Sequence, residues 1–282
     1  MIRVCITGAG SYIGTHIGLH LAQMPEQFEV AEMDVSQPWQ PDGLRGFDAV
    51  IHVAGIAHQK ETDENRALYT TVNRDLALEV AKAAKANGVK QFVFFSSMSV
   101  YGITVGAISA DTQPAPNTAY GISKWEAEQG LDALADESFR VAVLRPPMIY
   151  GQGCRGNYPR LSALARSLPV FPKVDNQRSM LYIGTLCQFV QKLLESGKDG
   201  LYFPQNREYV NTTELVKEVA RCHNKRLLAL SGFARLLKLL EGKVSLVSKV
   251  FGSLTYDQKM SDAFRPVDEL DFVDTIKQTE GV

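Results

Sequence analysis

Short apolar runs alternate along the chain with stretches whose apolar positions recur every three to four residues. Ile2 to Thr7 is apolar on both faces and predicts a buried strand. In Ile13 to Met24 the residues Ile13, Ile17, Leu21 and Met24 fall at helical spacing, and Pro25 stops the helix. Phe28 to Val35 and Asp48 to Ala54 read as the next two strands. Asp75 to Asn87 carries Leu76, Val80, Ala83 and Ala84 on one face, and Gly88 suits a helix C-terminal turn. Gln91 to Ser97 is a continuous apolar strand, Tyr120 to Leu134 a helix, and Arg140 to Leu144 a strand that Arg145-Pro146-Pro147 ends. Strands apolar on both faces and separated by helices imply βαβ units and a parallel sheet covered on both sides.

The texture changes after Tyr150-Gly151-Gln152-Gly153. Helical patterns dominate at about 159–168, 184–196, 212–222 and 232–241, and Gly200 to Phe203 is the one good strand. The expected fold is therefore α/β: a Rossmann-type doubly wound parallel sheet in residues 1–153, and a smaller, mostly helical cap in 154–282. Within the cap, about 182–206 should return to the main sheet.

Composition narrows the function. Of the 282 residues 45% are hydrophobic and 22% charged, which excludes a disordered chain, a collagen or a coiled coil. Lys plus Arg (30) nearly balances Asp plus Glu (31), so neither nucleic acid nor an anionic membrane is expected as a partner. Cys5, Cys154, Cys187 and Cys222 are too sparse and too scattered for a disulfide scaffold or a metal site. The N-terminus runs straight into a strand, and no stretch approaches a membrane span, so a cytoplasmic protein without a bound metal is expected.

Thr7-Gly8-Ala9-Gly10-Ser11-Tyr12-Ile13-Gly14 follows a strand and opens a helix, the context that a dinucleotide fingerprint requires. Glycines let backbone N–H groups approach a diphosphate at the positive helix end, and Gly14 lets the helix lie close to the strand. Asp34, twenty positions after Gly14, is a candidate for the adenosine ribose hydroxyls. A carboxylate there, with no Arg or Lys between Arg3 and Arg45, favours NAD, with NADP left open.

Phe94 to Gly102 ends a parallel strand with Ser96, Ser97 and Ser99, and Tyr120-Gly121-Ile122-Ser123-Lys124 begins a helix. Tyr and Lys at i and i+4 share a face. A nearby ammonium is expected to lower the Tyr120 pKa toward the working range, making it a general acid/base for alcohol–ketone interconversion. His52 and His58 flank the Ala54-Gly55 turn and read as packing or loop residues, and Trp125 as a core or interface aromatic.

With these motifs the chain resembles the extended short-chain dehydrogenase/reductase superfamily, in particular its nucleotide-sugar epimerase/dehydratase group. The resemblance also draws on Ile51 to Gly55, Val72-Asn73, Leu144 to Gly151 and Arg178 to Ile183. It implies that Ser97, Tyr120 and Lys124 are catalytic. Gly8, Gly10, Ser11, Tyr12, Ile13, Gly14, Asp34, Ala54, Gly55, Pro147, Tyr120 and Lys124 would hold the cofactor. Ser97, Asn157 and Arg178 would hold a nucleotide-sugar, Arg178 by pairing with its diphosphate. It also implies a homodimer through the helices at 75–87 and about 120–136, where Ala77, Ala81 and Ala84 would permit close approach; burial inside one chain explains the same three residues.

Three departures stand out. Ser11 replaces the second Gly of the turn. Met148 replaces the substrate-facing Asn of UDP-galactose 4-epimerases and, like the run Asn176 to Ser179, resembles the 4-keto-sugar reductases. Only Phe28 to Val35 is available where the family places two strands, so Asp34 fits either the ribose acid or the acid of the next strand. The expected activity is hydride transfer at C4 of a nucleotide-activated, UDP-type hexose, as an epimerase or a 4-keto-sugar reductase. A carbonyl reductase of a non-nucleotide substrate and a non-catalytic dinucleotide sensor are the alternatives.

Overall fold

Residues 2–7, 91–95 and 140–144 carry apolar side chains on both sides because both sides of the sheet are covered, and the computed structural model shows what covers them. It describes residues 1–57, 59, 61–233, 250–266 and 268–282. The first half runs β1 (Ile2–Thr7), α1 (Tyr12–Leu21), β2 (Phe28–Met33), β3 (Ala49–His52), α2 (Asp63–Tyr69), α3 (Leu76–Ala86), β4 (Gln91–Phe95), β5 (Gly106–Ile108), α4 (Ala119–Asp132) and β6 (Arg140–Leu144). The second half runs β7 (Met148–Tyr150), α5 (Asn157–Ser167), β8 (Val170–Pro172), β9 (Met180–Tyr182), α6 (Ile183–Ser196), β10 (Gly200–Tyr202), α7 (Thr212–Cys222), β11 (Leu228–Leu230), β12 (Leu254–Tyr256) and α8 (Phe272–Glu280).

Six strands form one parallel sheet in the order β2-β1-β3-β4-β6-β10. One face carries Val4, Ile6, Ile51, Val93, Phe95 and Leu144, and joins α1, α6 and the cap in a continuous core. The other face carries Cys5, Val50, Phe92, Phe94 and Val141 beneath α3 and α4. The chain leaves β1 for β2 on one side and then crosses to β3 on the other. That reversal opens a crevice at the strands' carboxyl ends, where α/β sheets bind ligands. Three two-stranded parallel pairs, β5–β12, β7–β9 and β8–β11, build the rest.

The second strand ends at Met33, two residues short of the expected boundary, and no further strand separates it from β3. A short 3₁₀ turn, Pro41–Leu44, makes the connection, so β2 is the edge of the sheet. Asp34 therefore directly follows β2 and is not the acid of a following strand. Ala77, Ala81 and Ala84 are buried against the sheet within one chain, the second of the two explanations their small side chains allowed. The pattern also left α2, α8 and six three-residue strands unpredicted, because a strand so short carries too few positions to show a period. The expected helix at 232–241 lies outside the described residues beyond a 3₁₀ turn at 231–233, and so does His58.

Candidate active site

The glycine turn works by close approach. Gly8 stands at φ +106°, and a Cβ there would sit 2.8 Å from the Ala54 nitrogen. The turn thus lies against the Ala54-Gly55 turn that follows β3. Gly14 has no room either: a Cβ would meet Ser11, Val53 and Ile6 within 3.1 Å. Ser11 is the N-cap of α1, its Oγ accepting from the Gly14 N–H at 3.2 Å, which is a use for a hydroxyl that a second glycine could not serve. The next two N–H groups, of Tyr12 and Ile13, have no protein acceptor among the described residues. Two unpartnered donors at a helix N-terminus form an anion site. Gly10, at φ +71°, has open space beside it.

The catalytic candidates come from different elements. Ser97 follows β4 in extended conformation and caps a 3₁₀ turn, Met98–Tyr101. Its Oγ accepts from the Ser99 N–H at 3.1 Å and donates to Ser99 Oγ at 3.2 Å. The first turn of α4 lies on this segment because residue 121 is glycine: a Cβ there would stand 2.7 Å from the Ser99 carbonyl oxygen. Thr118 caps α4 through the Gly121 N–H at 3.1 Å. Tyr120 and Lys124 then project from the helix one turn apart, Lys124 buried with Nζ 4.6 Å from the centre of the Phe94 ring.

Glycine is also required at position 55. A Cβ there would come 2.9 Å from Asn73 Oδ1 and 3.4 Å from Lys124 Nζ. Asn73, not picked out as a site residue in the sequence, is fully buried in a π-helical stretch, Thr70–Asp75, between α2 and α3. It accepts from the Ile56 N–H at 2.8 Å, and its amide donates to the Ile56 carbonyl at 3.1 Å and to Ser123 Oγ at 3.2 Å. It thereby fastens the turn after β3 to α4. Such π turns are frequent at functional sites.

The electrostatics differ from the simple expectation for a Tyr–Lys pair. Burial raises the Tyr120 phenol above its ordinary value, and a hydrogen bond with Ser97 works the other way. Burial pushes Lys124 down to about 8, with Glu128 pulling it back up. Tyr120 is thus raised overall, contrary to the lowering expected from the ammonium, because desolvation outweighs the opposing hydrogen bond with Ser97. His52 is a core residue. Its Nδ1 lies 2.8 Å from Thr7 Oγ1, its ring stacks near Phe92 and Phe94, and burial holds it neutral.

Behind these groups lies a buried network that sequence reading missed. Glu128, one turn beyond Lys124, accepts from Arg145 Nε at 3.0 and 3.1 Å and from Nη2 at 2.5 Å. Ser96 Oγ also donates to Glu128, and Arg145 Nη1 donates to Tyr101 OH at 2.7 Å. Trp125 packs over the Arg145 guanidinium. The spacing Tyr120, Lys124, Glu128 was the available signal: three residues four apart share one helix face.

Other candidates lie apart from this cluster. Asp34 is exposed, and its Oδ1 accepts from Ser36 N–H and Oγ at 2.9 and 2.6 Å, which lowers its pKa. Pro147 is buried between β6 and β7. Asn157 opens α5, half-buried after Gly156. Arg178 precedes β9; its Nη1 donates to the Gly252 carbonyl at 2.6 Å, and burial lowers it to about 10. Among the described residues no three His, Cys, Asp or Glu side chains gather as metal ligands, and no helix is long and apolar enough to cross a membrane.

Comparison with known proteins gives the family and the fold. The chain is 29% identical to UDP-glucose 4-epimerase of Vibrio cholerae over 285 aligned positions, covering 90% of this chain and 87% of the relative. It is 28% identical to N-acetyl-alpha-D-glucosaminyl-diphospho-ditrans,octacis-undecaprenol 4-epimerase of Escherichia coli O157:H7, covering 80% and 73%. The fold is shared with the UDP-glucuronic acid 4-epimerase of Bacillus cereus solved with NAD, at a TM-score of 0.79 and 17% identity over 99% of this chain and 96% of that one. A family model described as the NAD dependent epimerase/dehydratase family matches residues 4–209, and the chain belongs to that family.

Proposed function

We propose that this chain is an NAD-dependent enzyme acting at C4 of a nucleotide-activated hexose, of UDP type. The observation that carries the reading is the meeting of Ser97, Tyr120 and Lys124 beside the Ala54-Gly55 turn, at the carboxyl ends of β3 and β4. The residues fit a dinucleotide: two unpartnered N–H groups at the start of α1, and a cradle at Gly8 and Gly55 that a Cβ would fill. Gly8, Gly10, Ser11, Tyr12, Ile13 and Gly14 would hold the diphosphate, with Asp34, Ala54, Gly55, Lys124 and Pro147 along the rest of the cofactor. Bound NAD supplies the hydride acceptor and donor.

The protein's own groups do the proton work. Tyr120 takes or returns the proton of the C4 oxygen, and Ser97 holds that oxygen by a hydrogen bond. Lys124, buried next to the turn, steadies the phenolate charge when it forms. Arg178 and Asn157 bind the diphosphate, for which a guanidinium is well suited. Met148 in the place of a polar substrate contact favours a single reduction of a 4-keto sugar; the similarity to 4-epimerases favours inversion. Assembly as a homodimer belongs to the same proposal, and light scattering reads it.

One experiment separates the outcomes. The protein is incubated with UDP-hexoses and UDP-4-keto-sugars, with and without NADH, and the sugar protons are followed by NMR. Inversion at C4 without added NADH marks an epimerase. Stoichiometric NADH consumption with a 4-keto sugar marks a reductase. No conversion of any nucleotide-sugar overturns the proposal.

A further inference from the structure

Two segments of the cap are basic and hold no acid. Residues 155–174 carry Arg155, Arg160, Arg166 and Lys173, residues 222–232 carry Lys225 and Arg226, and neither contains an Asp or Glu. Net charge, a sum over the whole chain, hides such a concentration. The fold lays the two segments side by side. β8 pairs with β11 in parallel, Val170 opposite Leu228 and Pro172 opposite Leu230. Side chains alternate across a strand, so Phe171 turns into the core while Val170, Leu228 and Leu230 stand outside, Leu228 at 65% exposure. The Leu228 N–H donates to the Pro169 carbonyl, which sets this ribbon beside the end of α5, where Leu164 and Leu168 are exposed as well. Arg160, Leu164 and Leu168 recur every four residues and share one side of α5. Lys225 Nζ donates to the Arg166 carbonyl, and Arg226 precedes Leu228 by two positions. Arg160, Arg166, Lys225 and Arg226 are exposed, and none forms an ion pair among the described residues. Asp175 and Glu214 bound the face: they line a cavity at the far end of the ribbon, with Lys173 and Ser231. Residues 234–249, outside the described residues, continue from here with the same kinds of residue, Arg235, Lys238, Lys243 and Lys249 against Glu241, among Leu and Val.

We infer that this face of the cap docks on a membrane surface bearing anionic lipids. Five large apolar side chains gathered in water on one side of a molecule mark a contact surface. Nucleic acid would match the charge but leave the leucines in water. A second copy placed face to face would bring like charges together across the contact. An anionic bilayer surface satisfies both kinds of side chain, because leucines enter the boundary of the acyl chains while basic groups stay among the headgroups. The long apolar stems of Lys and Arg suit that position. Such docking lies on the bilayer rather than across it, and it is independent of turnover, so its test reads binding alone.

The purified chain is sedimented with vesicles of phosphatidylcholine and with vesicles in which about 30% of the lipid is phosphatidylglycerol. Wild type should sediment with the anionic vesicles, far less with phosphatidylcholine alone, and less again as salt rises. Leu228→Gln with Leu230→Gln should weaken partitioning about tenfold or more. Arg166→Gln and Arg226→Gln should each weaken it about fivefold at low salt. Leu19→Gln, at a comparable 64% exposure on α1, should leave it unchanged. All these positions are exposed, so thermal unfolding should show folded variants. Wild type that stays in solution with both vesicles overturns the inference. So does vesicle binding that salt or the face variants do not move, or that Leu19→Gln weakens as much. Loss of self-association in Leu228→Gln with Leu230→Gln, without vesicle binding by wild type, would instead make the face a contact between copies, which also overturns it.

Discussion

Glu128 holds Arg145 through both carboxylate oxygens directly behind the Tyr120–Lys124 face, with each side chain about 5% exposed. The pair ties together the elements that supply the site: α4 through Glu128, the end of β4 through Ser96, the 3₁₀ turn through Tyr101, and the end of β6 through Arg145. The Tyr256 hydroxyl of β12 closes the group on the Arg145 carbonyl at 2.9 Å.

Removing one partner should therefore be costly. Glu128→Gln leaves a buried guanidinium without its counter-charge, and should destabilise the fold by about 3–5 kcal/mol. Replacing both residues, Glu128→Met with Arg145→Met, should restore most of that loss, because the desolvation of two charges disappears as well. Urea unfolding of the single and double variants measures the difference.

Lys124 gives a pH signature. Its pKa falls from 10.5 free to about 8 when buried. Between those two values the unfolded chain binds the proton and the folded chain does not, so wild-type stability should rise as pH increases from about 8 to 10.5. Below pH 8 the penalty is fully present. Lys124→Met should abolish turnover yet stabilise the fold at pH 7 by about 2–3 kcal/mol, with the gain shrinking toward pH 10.5. Thermal unfolding across pH reads this directly.

Two glycines of one turn should respond differently. Gly8→Ala forces a Cβ onto the Ala54 backbone at an unfavourable φ of +106°, and should abolish dinucleotide binding with a loss of about 2 kcal/mol or more. Gly10→Ala meets open space and bears only the cost of its left-handed φ, about 1 kcal/mol. Calorimetric titration and denaturant unfolding separate the two effects.

Chemistry and substrate holding should separate kinetically. Tyr120→Phe removes the proton-transferring group and should lower kcat by about 10²-fold or more with little change in KM. Arg178→Ala should raise KM for a nucleotide-sugar about tenfold or more with a smaller effect on kcat. A neutral-carbonyl substrate would make Arg178→Ala silent, which steady-state assays on both substrate classes would show.

Local patterns were sufficient for the main sheet and the chemistry-bearing motifs. Period and apolarity located β1, β3, β4 and β6, and the spacing of Tyr120, Lys124 and the glycines located the candidate site, since each rests on neighbours in sequence. Strands such as β7 and β9 escaped because three residues carry too few positions to show a period. Asn73 escaped for a similar reason: its value lies in reaching Ile56 and Ser123, which only the fold brings near.

By itself the sequence determined the alternation of strands and helices, the glycine turn and the Ser–Tyr–Lys spacing, because backbone preference and helix periodicity are local properties. Tertiary structure decided the rest. It made β2 an edge and set Glu32 on the turn, it buried Ala77, Ala81 and Ala84 inside one chain, and it paired Glu128 with Arg145. Above all it set the charge balance of Tyr120 and Lys124. Their spacing predicted that the ammonium would tune the phenol, but desolvation depends on what surrounds a group from every side, and that environment is assembled from β3, β4, α4 and the π turn together.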